Sequence, residues 1–145
     1  MIRAVFDTNV FISALFNPKR LPAQLLELAL QGKIKLIISP QIIGEIERVL
    51  TYPRIKKLLK KRKAAPGEIE EGIAKALKLA VLTPGNLSVK AIPDDPADDI
   101  IIACALEGQA DFIVSGDHHL TDLINYQGIE LVDPATFLAL VIQEK

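Results

Sequence analysis

The chain has a single cysteine, Cys104, a single methionine and no tryptophan among its 145 residues. One cysteine excludes an internal disulfide and any multi-cysteine zinc site. No apolar run approaches the roughly 20 residues that a membrane-spanning helix needs. No G-x-x-x-x-G-K or G-x-G-x-x-G run offers a nucleotide-binding loop. After Met1 the sequence passes through Ile2 and Arg3 into an apolar stretch that soon meets Asp7, which is not the layout of a secretory signal. A cytoplasmic protein is the expectation. Half of the residues are hydrophobic and 24% are charged, so the composition is that of a folded chain, expected to form one domain over residues 1–145.

The most informative scarcity is local. Residues 91–144 hold 11 acidic side chains and no Lys or Arg, whereas residues 1–90 hold 16 basic and 7 acidic ones. The net charge of −1 is therefore the sum of two halves of opposite sign, and it does not argue against a polyanionic partner.

Apolar, β-branched stretches at Ile2 to Phe6, Ile34 to Ile38, Phe112 to Val114 and Ile129 to Val132 predict four strands. Helical spacing predicts a brief helix from Val10 to Leu15, capped by Thr8 or Asn9 and closed by Asn17-Pro18. Further helices are expected over Leu21 to Leu30 with Gly32 as its stop, over Gln41 to Leu50 after Ser39-Pro40, and from Pro53 into the basic run. Glu68 to Leu82, a segment from Asp95-Pro96 to Gly108, and Pro134 to Ile142 complete the helical set. Strands separated by helices imply an α/β fold with a mostly parallel sheet and helices on both faces.

In such a sheet chemistry collects at the carboxyl ends of the strands. Asp7 lies there on the first strand. Ser115-Gly116-Asp117 lies there on the third, with Gly116 read as allowing a tight turn. Glu45 shares a helical face with Ile42 and Val49, and it is either an edge acid leaning into water or a pocket acid facing a cation. Asp95 is explained as a helix cap; Asp98 and Asp99 stand between dipole-favoured solvated acids and members of a cation site. If Asp7, Glu45, Asp98 and Asp117 meet at one rim, their repulsion calls for a bound cation. Oxygen ligands suit Mg²⁺ or Mn²⁺, and such ions activate water for phosphodiester hydrolysis.

Lys56, Lys57, Lys60, Lys61, Arg62 and Lys63 form a basic run that is either a phosphate-binding surface or a solvated face anchored by Leu58 and Leu59. His118 and His119 are read as a loop pair, and Cys104 as a small buried hydrophobe.

Taken together, Phe6-Asp7-Thr8-Asn9-Val10, the helical Glu45, Asp95-Pro96-Ala97-Asp98-Asp99 with Ala103-Cys104-Ala105, and Ala110 through Asp117 resemble the ordered motifs of PIN-domain ribonucleases. The likeness is to the VapC-like toxins of toxin–antitoxin systems in particular. It implies a three-layer PIN-like fold and a metal-dependent endoribonuclease. It also implies Asp7, Glu45, Asp98 and Asp117 as ligands of Mg²⁺ or Mn²⁺, with Thr8, Asp99 and Ser115 supporting them. A fifth acid common in the family is replaced here by His119. RNA as substrate, a cognate antitoxin and a homodimer are the partners it implies.

Two rival readings come from the residues. An aspartyl phosphatase or phosphotransferase normally wants an acid two places after its nucleophile, where this chain has Asn9. A binding module that holds RNA or protein without cleaving it is the other.

Overall fold

Ala4, Val5 and Phe6 follow one another without a polar interruption, as do Leu36, Ile37 and Ile38. Strands of this kind bury both faces and need helices on either side. The computed structural model, which describes residues 1–16, 20–61, 68–89 and 96–143, has that arrangement. Strand β1 (Arg3–Phe6) leads to helices α1 (Thr8–Phe16) and α2 (Leu21–Leu30), then to β2 (Lys35–Ile38). Helices α3 (Pro40–Leu50), α4 (Pro53–Lys61) and α5 (Glu68–Leu79) precede β3 (Val81–Leu82) and α6 (Pro96–Glu107). The chain ends through β4 (Phe112–Val114), α7 (His118–Thr121), β5 (Asn125–Tyr126), β6 (Ile129–Val132) and α8 (Pro134–Gln143).

The sheet order is β3-β2-β1-β4-β6-β5. Every pairing is parallel except that of β5 with β6. From β1 the chain steps outward to β2 and β3, then returns to the other side of β1 with β4. The strand order thus reverses between β1 and β4, where Phe6 lies beside Val114. A reversal of this kind opens a crevice beyond the carboxyl ends of the two strands.

Alternation along the strands sends neighbouring residues to opposite layers. The ring of Phe6 meets Phe11 of α1 at 5.9 Å and Phe137 of α8 at 6.1 Å between centroids. Val5 and its registered partner Ile37 face the other way. There Gly108, just beyond α6, approaches so closely that a Cβ would stand 2.5 Å from Cγ2 of Ile37. Helix α2 joins α1, α5 and α8 in one group, while α6 lies on β1, β2 and β4 and also touches α3.

Most expected helix ends are realised. Gly32 takes φ +77°, its N–H donating to Ala29 and that of Lys33 to Leu28, the paired bonds of a glycine-terminated helix. The Ser39 hydroxyl accepts the Ile42 N–H at 3.2 Å, with Pro40 opening α3. At the end of α6 the roles are divided differently from the expectation. Gln109 takes the left-handed conformation (φ 55°), and Gly108 serves the close approach to Ile37 instead.

Other expectations need correcting. The helix predicted to run to Leu82 stops at Leu79, because Val81 and Leu82 pair with Ile37 and Ile38 as an edge strand. The two-residue β5 was too short to show a period and exists by pairing with β6. Helix α1 begins at Thr8, not at Val10, so Asp7 is the residue at its mouth. Leu58 is 43% exposed and does not anchor α4; among the described side chains of that helix Ile55 is buried, and the side chain of Leu59 lies outside the described ones. Asn17-Pro18, Pro66-Gly67, Asp94 and Asp95 lie outside the described residues.

Candidate active site

Asp7 is held by what surrounds a strand end. Its backbone N–H continues the ladder to Val114 at 2.9 Å, and its carbonyl receives the Val10 N–H as α1 begins. The Asp7 side chain is 6% exposed, and the neighbouring Ser115 is fully buried. The Asp117 N–H donates to the Ser115 oxygen at 2.9 Å, and the Ser115 hydroxyl donates to Oδ2 of Asp7 at 2.7 Å. Because an amide can only donate, the hydroxyl proton is directed at Asp7. One serine thereby ties the first and last of the proposed acids together.

Burial pushes the Asp7 carboxyl above the ordinary aspartate range, and repulsion from Asp117 adds to that. The Ser115 hydroxyl and the N–H groups of Thr8 and Asn9 pull the other way and do not prevail. Among the described residues no cation figures in the groups acting on Asp7. A buried carboxylate facing a like charge at the mouth of a helix is a place where a positive ion relieves strain on both acids.

Asp98 and Asp99 stand in the first turn of α6; Asp98 is 5% exposed and Asp99 half-buried. The far end of that helix is fixed near the start of β1, where the Arg3 guanidinium donates to the carbonyls of Gly108 at 2.7 Å and Gln109 at 3.3 Å. A helix of 12 residues, about 18 Å long, then begins toward the carboxyl edge. The segment entering it is anchored from two sides. Glu107 accepts the N–H groups of Gly85, Asn86 and Leu87 at 2.8, 3.0 and 3.2 Å, and Gln41 donates to the Gly85 carbonyl at 2.7 Å. Burial raises the affinity of Glu107 for its proton, but those amides outweigh it and hold the carboxyl below its usual range. Contacts spanning 20 residues leave no local sequence signal, so this anchor was not foreseen.

Glu45 differs from the strand-borne acids. Its side chain is 23% exposed, and Nη2 of Arg48 lies 2.6 Å from each of its carboxylate oxygens. The cation it faces is thus its own helical neighbour, one turn on. The i,i+3 spacing makes this partner legible in the sequence. Among the described residues no three His, Cys, Asp or Glu side chains are grouped closely enough to hold a metal ion. The structure links Asp7, Ser115 and Asp117 and does not gather Glu45 with them into such a cluster.

Strand reversal brings a buried aspartate at the first strand end beside the returning strand that leads to Asp117. A PIN domain model matches residues 3–119, from β1 past the last proposed acid. The chain belongs to the PIN domain family. It is also similar to the uncharacterized protein MJ1680 of Methanocaldococcus jannaschii, 34% identical over 122 residues, which cover 84% of this chain and 75% of that protein.

Membership implies nuclease-type chemistry on nucleic acid, and PIN domains usually use divalent metals. The donor set of this PIN domain is compatible with that habit, since Asp7 and Asp117 are hard oxygen donors whose repulsion a divalent ion offsets. Thr8, buried beside Asp7, opens α1. The chain bends at Gly116, which is not in a left-handed conformation and has open space where a Cβ would be, so the bend does not require a glycine. His118 opens α7 with His119 next to it, so the pair begins a short helix and not a loop. Cys104 is buried and its thiol is pushed up to about 11 by burial, against hydrogen bonds from Ser39 and Thr83. It is a core residue and no nucleophile at neutral pH. Lys56, Lys57 and Lys60 project from α4 into solvent; Lys61 ends that helix, and Arg62 and Lys63 lie outside the described residues.

No helix among the described residues is long and apolar enough to cross a membrane.

Proposed function

We propose that this PIN-domain protein is an endoribonuclease that depends on Mg²⁺ or Mn²⁺. Asp7, Glu45, Asp98 and Asp117 would hold the metal, with Thr8, Asp99 and Ser115 supporting them. The observation that carries the reading is the Asp117–Ser115–Asp7 chain of hydrogen bonds at the strand switch, with Asp7 buried and facing a like charge. A bound divalent ion supplies an activated water and neutralises charge developing on an RNA phosphodiester. The protein residues do the positioning. Ser115 orients Asp7, the end of β1 fixes its backbone, and the mouth of α1 presents N–H groups to the same carboxylate. Glu45 would help hold the ion by giving up its pairing with Arg48.

The deciding measurement is cleavage of a labelled RNA by the purified protein with Mn²⁺, compared with Asp7→Asn. Cleavage by the native chain and none by the variant, with an unchanged far-UV spectrum, is the expected result. Equal cleavage by both would remove Asp7 from the reaction.

The protein is further read as a cytoplasmic toxin with a cognate antitoxin, acting as a homodimer. Growth arrest on induction, relieved by a neighbouring gene product, and a solution mass of twice 15.9 kDa are the expected observations. A second reading, a binding module without catalysis, draws on the Glu45–Arg48 pair and the dispersed acids. RNA affinity without cleavage under any divalent metal would favour it.

A further inference from the structure

From Arg48 to Lys63 the sequence has eight basic residues and no acidic one. Helix α4 sorts the charges it carries. Lys56, Lys57 and Lys60 stand one residue or one turn apart and are all exposed, as is Arg54, while Ile55 is buried at 6% exposure against the rest of the protein. Three lysines at i, i+1 and i+4 share a helical face. An ordinary solvated face interleaves both signs, so that pairs one turn apart attract. Here Lys56 and Lys60 stand four residues apart, and no ion pair or side-chain hydrogen bond of either occurs among the described residues. Like charges in that relation weaken a helix that is only nine residues long.

The face is suited to a linear polyanion. Its charges lie within about 6 Å of one another along the helix axis, and lysine meets phosphate as a point charge without needing a fixed angle. A protein partner fits less well, since lysine is depleted in protein interfaces. Helix α4 also packs on α3, which carries Glu45 and the exposed Arg48.

We infer that the exposed face of α4 is a docking surface for the sugar-phosphate backbone of RNA, engaging it through Lys56, Lys57 and Lys60. This rests on the ribonuclease reading and adds where substrate is held outside the acidic crevice. Sequence is not read there, because phosphate contacts position a strand without distinguishing bases.

The test uses the full chain carrying Asp7→Asn, a fluorescein-labelled single-stranded RNA of mixed sequence and EDTA, so that binding is read without cleavage. Fluorescence anisotropy is recorded from low to moderate salt for this chain, for the same chain with Lys56→Gln, Lys57→Gln and Lys60→Gln, and for a control with Lys75→Gln and Lys78→Gln on α5. The α4 variant is expected to bind at least about tenfold more weakly, and its log K against log salt plot to be shallower by about 2, from about 0.7 per lost phosphate contact. The control is expected to match the parent. An unchanged slope and affinity in an α4 variant of native far-UV spectrum would overturn the proposal. So would displacement of RNA by poly-L-glutamate at equal charge concentration, which would assign the face to an acidic protein. A single-mutant series removing one lysine at a time covers the case in which the triple variant fails to fold, with a slope change of about 0.7 expected for each. If α4 governs binding but the native chain cleaves nothing with Mn²⁺, the hydrolase reading fails and this one stands.

Discussion

The acids borne on strand ends and the acid borne on a helix are built in opposite ways. Asp7 is buried, fixed by the β1–β4 ladder, tied to Asp117 through Ser115 and pushed toward its protonated form. Glu45 is half-buried, sits within α3 and holds an exposed arginine one turn along. The first arrangement stores electrostatic cost in a rigid place, which is how a pocket is prepared for a cation before it arrives. The second has low cost and is easily exchanged, because a single exposed pair contributes little. In the proposed site a carboxylate would thus be committed by the sheet at Asp7 and lent by a helix at Glu45.

The largest effect that would break this contrast is at Asp7. With Mn²⁺, Asp7→Asn is expected to lower the cleavage rate by about 10³-fold or more, as loss of a central electrostatic group does. The same variant is expected to melt higher than the native chain in EDTA near neutral pH. The sign follows from linkage: the folded Asp7 pKa is raised, so the stability it contributes is present below its unfolded pKa and lost as pH rises through the folded value. Differential scanning fluorimetry across pH checks both halves, and a lower melting temperature in the variant would contradict the burial argument.

Glu45→Gln is expected to reduce cleavage by about 10²-fold while leaving the melting temperature almost unchanged, since only an exposed pair is lost. A loss as great as at Asp7 would show that strand and helix acids share the work equally. Ser115→Ala is expected to cost about 10-fold in rate and about 1–2 kcal/mol in stability by stranding buried polar groups. It also removes a bond that lowers the Asp7 pKa, so the acid limb of the pH–rate profile should move to higher pH. An unmoved limb would separate Ser115 from the titration of Asp7. The smallest effect is at Arg48. Releasing Glu45 by Arg48→Ala should lower the Mn²⁺ concentration for half-maximal cleavage by about two- to threefold, the scale of an exposed pair. A rise would mean that Arg48 assists the site.

Legibility in the sequence followed the range of the interactions. Ser39-Pro40 and Gly32 act within a turn of their own positions and were readable. The acids at the ends of β1 and β4 were readable because apolar runs end abruptly at polar residues. Strand β3 was not, since Val81 and Leu82 continue a helical pattern and become a strand only by pairing with Ile37 and Ile38. Gly108 was read as a helix stop, but the demand on it comes from a side chain 71 positions earlier, Ile37. Of the expected anchors of α4, Leu58 is largely exposed, and tertiary packing buries Ile55.

The sequence by itself determined the α/β class, the segregation of charge and the identity of the acids available to a metal, because each depends on composition or on periods of a few residues. Tertiary structure alone decided which acids share hydrogen bonds and which are paired elsewhere. Asp7 and Ser115 are 108 residues apart and meet through a strand reversal. Their buried contact, and the raised proton affinity that comes with it, depend on desolvation by the whole fold, which no local pattern encodes.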